Sequence, residues 1–72
     1  MKGNQKVIDA KNGLLAAELA AMDQYFVHAE MYEDWGLMKL YARVAHEFDD
    51  EKRHATALIK RILFLEGTPD LV

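Results

Sequence analysis

The chain has 72 residues, no cysteine, and a formal charge of −3 from 9 basic and 12 acidic side chains. That allows one small domain, and it excludes disulfide frameworks, cysteine-held clusters and thiolate zinc sites. It also argues against a nucleic-acid binder, which carries a basic stripe. The first residues lack the apolar region of a secretory signal, and no apolar run is long enough to span a bilayer. The expectation is a soluble, cytoplasmic protein with no membrane partner. In chain order, Asn4 is placed to cap a first helix over residues 5–33. Gly13 is the misfit inside it, costing about 1 kcal/mol relative to Ala, but the apolar pattern stays in phase on both sides. A turn follows at 34–36, with Asp34 as the cap of a second helix over 37–65. Gly67, followed by Thr68 and Pro69, reads as the stop. The fold class is therefore all-α: an antiparallel two-helix hairpin with a short tail.

Both helices carry a seam of side chains recurring in steps of three and four. The first reads Ile8, Lys11, Leu15, Glu18, Met22, Tyr25, Ala29 and Tyr32. The second reads Leu37, Tyr41, Val44, Phe48, Glu51, Ala55, Leu58, Ile62 and Leu65. Lys11 lies near an end and can reach water. Glu18 and Glu51 lie in mid-seam. They stand nearly equal distances before and after Trp35, so a fold at Trp35-Gly36 brings them to the same height at about 1.5 Å of rise per residue. His54, one turn past Glu51, projects from the same side.

Buried carboxylates need compensation, from shared protons, a basic neighbour or a cation. Carboxylate oxygens with one imidazole suit iron or manganese, and zinc less distinctively. Dimetal carboxylate bundles use two lone glutamates and two Glu-x-x-His pairs, and this chain holds half that set. Two copies related by a two-fold axis would supply the whole. They would also turn a hairpin too small to be stable alone into an antiparallel four-helix bundle. The same residues also admit a plainer reading, a surface Glu and His one turn apart.

Other patterns carry less. His46 and Glu47 begin a zincin-like motif, but Asp50 stands where its second histidine belongs, which excludes a metalloprotease. His46, Glu47 and Asp50 are candidates for an auxiliary ion, though a solvated pair is the commoner outcome. The acidic run 47–51 with Lys52 and Arg53 reads as a charged outer face. Tyr25 reads as a core tyrosine near a carboxylate or as a redox residue, Met22 as core filler, His28 as a seam-flanking residue in contact with solvent, and Trp35 as a packed anchor of the turn.

At these residues the sequence resembles the N-terminal half of a bacterioferritin subunit. The stretches that carry the likeness are Gln24-Tyr25-Phe26 with His28-Ala29, Trp35-Gly36-Leu37, His46-Glu47, Asp50-Glu51 with His54-Ala55, and the tail from Arg61 to Gly67 with Pro69. The resemblance implies a ferritin-like bundle with a di-iron ferroxidase centre, oxidising ferrous iron with dioxygen or peroxide, and a hollow cage that stores the ferric mineral. It implies Glu51 as the bridging ligand, Glu18 as a terminal one, His54 as the imidazole, and Tyr25 beside the iron. It places His46, Glu47 and Asp50 on a route for iron. The family continues through a long crossover into two further helices with the second half of the ligand set, and these are not in this sequence. That puts cage storage in question and leaves a homodimer as the way to complete the centre. The family's haem is held by a methionine directly after the second-helix glutamate. Here that position is Lys52, and Ala45 replaces a residue often aromatic, so a bis-methionine haem is not expected.

The function expected is a di-iron ferroxidase in iron homeostasis, with its site between two chains. The alternatives are a non-catalytic metal-binding or structural bundle, or a fragment that pairs with a separate second-half chain.

Overall fold

The computed structural model describes residues 3–71. Helix α1 spans Gln5–Asp34 and α2 spans Met38–Phe64, packed antiparallel. At its start the Asn4 side chain accepts from the Lys6 N–H at 2.7 Å, satisfying one of the donors that a helix leaves free. The turn lies one residue later than the sequence suggests, over residues 35–37 instead of 34–36. Asp34 is the last residue of α1, and Leu37 begins α2 without any side-chain cap. The reason lies in how α1 stops. The Leu37 N–H bonds back to the Tyr32 carbonyl at 2.8 Å and the Gly36 N–H to that of Glu33 at 3.0 Å. This double closure needs a left-handed residue, and Gly36 supplies it at φ 75°. The Leu37 carbonyl then accepts from Tyr41 at 2.9 Å, so one residue ends one helix and opens the next.

α2 ends by the same device with an unexpected residue in the left-handed position. The Gly67 N–H bonds to the Ile62 carbonyl and the Glu66 N–H to that of Leu63, but Glu66, not Gly67, takes the positive φ of 61°. Gly67 is needed for space. A Cβ there would stand 2.8 Å from Ile8 Cγ2 and 3.2 Å from Ile62 Cγ2.

Ile8, Leu15, Ala55, Ile62 and Leu65 form the core, with Leu19, Met22, Leu58 and Ile59 packed against it. Most of these residues are the expected seam, and they lie mainly between the middle of the hairpin and its open end. Toward the turn, Ala29 is buried and the Phe26 and Phe48 rings meet at 5.8 Å. Trp35 is not the packed anchor expected. It meets Tyr32 edge-on at 6.2 Å and stays 58% exposed. The open end is closed by polar contacts. Gly3 N–H donates to Leu65 at 2.9 Å, and buried Asn12 clamps the tail, donating to the Thr68 carbonyl at 3.1 Å and accepting from the Asp70 N–H at 2.9 Å.

The hairpin measures 49 × 17 × 12 Å, one helix thick. A slab of that thickness buries one seam and leaves its broad faces open. Its accessible surface is 5398 Å², against about 4,600 Å² for a compact monomer of 8.3 kDa. The excess, about 800 Å², matches one partner's share of a standard interface. Leu14, Val27, Met31 and Leu40 are among the large apolar side chains left exposed. Among the described residues, no helix is long and apolar enough to cross a membrane.

Candidate metal centre

Glu18 comes from α1, and Glu51 and His54 from α2, each near the middle of its helix. Equal spacing from the turn puts the carboxylates at one height, and the i, i+3 relation puts His54 beside Glu51. One donor atom from each of the three lies within 4.8 Å of the others. His54 Nδ1 is 3.9 Å from Glu18 Oε2 and 3.8 Å from Glu51 Oε2, beyond hydrogen-bond reach of both. The arrangement is a triangle of donors around a space, not a bonded network.

Burial within the triangle is uneven. The side chains of Glu18 and Glu51 are 27% and 20% exposed, that of His54 65%. Each glutamate is thus held by the seam, as its sequence position predicts. His54 stands at the edge of the hairpin's open face instead of in its interior, because one hairpin has no second layer to cover it. Glu18 Oε2 is fully buried and has no hydrogen-bond partner. An orphaned anionic oxygen costs about 1–3 kcal/mol or more. Two oxygen donors and a nitrogen, with one oxygen unsatisfied, fit a divalent cation of the iron or manganese type. On that observation the residues present suit a metal.

The other predicted residues lie apart from this triangle. Tyr25 is partly buried two turns further along the same side of α1. His46 Nε2 is 3.4 Å from Asp50 Oδ2, and Asp50 is also paired with Arg53. Glu47 is partly buried one turn before Glu51. Among the described residues, Glu18, Glu51 and His54 are the group whose donors converge; His46, Glu47 and Asp50 form no second such group. Lys52 is exposed and lines a shallow surface groove with Asp49, Arg53 and Thr56. Asn12, the buried polar residue among those described, is not marked as a structural residue by the sequence. Its only signal was an amide one residue off the seam, before Gly13.

A model of the ferritin-like domain matches residues 8–72. The chain is 62% identical over 71 residues to a bacterial ferritin of Paramagnetospirillum magnetotacticum, covering 99% of this chain and 43% of that protein. It is 61% identical to a bacterial ferritin of Synechocystis sp. (99% of this chain, 46% of that protein) and 49% identical to a bacterioferritin of Rhodobacter capsulatus (99% and 44%). The chain thus spans a little under half the length of the curated relatives it matches. With a family match over nearly its whole length and a carboxylate–histidine cluster on a helical hairpin, the chain belongs to the ferritin-like domain family.

Proposed function

We propose that two copies of this chain form a four-helix bundle that binds two iron ions between them and acts as a ferroxidase, with dioxygen or peroxide as electron acceptor. The observation that carries this reading is the convergence of Glu18, Glu51 and His54 around an unsatisfied carboxylate oxygen on an open apolar face. Because the triangle lies mid-hairpin, a two-fold axis across the helices at that height overlays two copies along their full length. Burial of the exposed face and completion of the ligand set then need the same partner.

In the bundle, Glu51 from each chain would serve as the shared ligand, and Glu18 and His54 from each as ligands to a single ion. Bound there, iron supplies the one-electron chemistry, passing from ferrous to ferric. The four carboxylates stabilise the higher charge and so favour the oxidised ion. In the paired bundle Leu14 and Leu58, each about one turn from the ligands, would exclude bulk water, and Tyr25, two turns along α1 from Glu18, is assigned the role of a redox tyrosine. The bacterial ferritins to which the chain is similar support an iron-handling role. Their greater length also favours a second reading, in which the face is covered by a further segment or a separate second-half chain.

The test is native mass spectrometry after adding ferrous iron without oxygen, followed by oxygen-uptake kinetics. Two chains carrying two irons, with uptake abolished in Glu51→Ala, is the expected result. A monomer without iron refutes the ferroxidase reading.

A further inference from the structure

We propose that the cation is what joins the two chains, so that dimerisation and metal binding are a single coupled equilibrium. This inference rests on the two-chain site proposed above.

Each chain by itself offers three donors, and its imidazole faces the open side. A cation bound to one chain would keep water on that side. A second copy replaces the water with protein ligands, so a cation is held more tightly by two chains than by one. Without a cation, pairing brings Glu18 and Glu51 of both copies to one place and removes them from water. Among the described residues, His54 is the basic side chain paired with either glutamate, and only at 3.8 and 3.9 Å. Glu18 Oε2 already lacks a donor within its own chain. Four carboxylates gathered in a low-dielectric interior repel one another, and desolvation adds to the cost.

Two terms therefore oppose each other. The exposed apolar face, with Leu14 one turn before Glu18 and Leu40 further along the same side of α2, favours pairing. The carboxylates resist it. A divalent cation removes the resistance, and its binding free energy becomes association free energy. Linkage is reciprocal, so metal affinity must rise with protein concentration. A longer chain that folds both halves together would not show this, since its ligands are already tethered.

The experiment is sedimentation velocity of the 72-residue chain across a protein dilution series, metal-free and with manganous or zinc ion, and with ferrous ion under argon. With free metal at ten times its dissociation constant for each of two dimer sites, association should tighten roughly 100-fold. The double variant Glu18→Gln/Glu51→Gln should dimerise more tightly than metal-free wild type and ignore added metal. His54→Ala, at an exposed position that does not threaten the fold, should keep the helical content of the single chain and weaken the metal-driven step by removing one donor from each copy. If two metals bind per dimer and the wild-type association constant does not change, the coupling is refuted while the two-chain site stands. One metal per monomer at every concentration refutes both. If the wild type takes up no metal, the site assignment itself fails.

Discussion

Replacing Glu18 by leucine probes what the buried carboxylate is for. Glu18 keeps 27% of its side chain exposed, but its Oε2 is fully buried with no partner. An unsatisfied buried acceptor costs about 1–3 kcal/mol, and leucine removes that cost while adding apolar contact with the seam. Metal-free Glu18→Leu should therefore be more stable than wild type by roughly 1–2 kcal/mol. In a domain of this size each kcal/mol moves the melting temperature by about 4–8 °C. The assay is urea unfolding followed by circular dichroism at several protein concentrations, which separates folding from association. With manganous ion present the order should reverse: the wild type gains stability with metal concentration and the variant does not. If metal-free Glu18→Leu proves less stable than wild type, Glu18 is holding the fold together and the argument for a waiting cation site collapses.

Other substitutions check the packing that positions the site. Leu15 is 1% exposed, so Leu15→Ala should cost about 2–5 kcal/mol by denaturation. Asn12→Asp keeps the shape but sets a carboxylate against the Thr68 carbonyl. It should cost about 1–3 kcal/mol in denaturation, because the donor to the Thr68 carbonyl is lost while the acceptor for the Asp70 N–H remains. Gly67→Ala adds a methyl 2.8 Å from Ile8 Cγ2, and overpacking of that kind costs about 1–3 kcal/mol in thermal melts. Gly36→Ala meets open space but a φ of 75°, so its cost should be smaller, about 1–2 kcal/mol, and purely conformational.

The two helices, their antiparallel pairing and the height at which Glu18 and Glu51 meet are legible in the residue pattern alone. These follow from helical periodicity and rise, which depend on local spacing alone. Periodicity likewise identified most of the core, from Ile8 and Leu15 on one helix to Ala55, Ile62 and Leu65 on the other. The rest depends on distances between segments far apart in the chain. The sequence suggested Asp34 as a cap and Gly67 as the left-handed stop. The structure uses Leu37 and Glu66, because each helix end is fixed by which carbonyls the following N–H groups can reach. Nothing near Asn12 in the chain marks it as buried, because its partners Thr68 and Asp70 lie in the tail, 56 and 58 residues away. Spacing also brought His54 to the right side of α2 without showing how open that side is. A ligand's exposure depends on what packs over it, and a single hairpin has nothing to pack there.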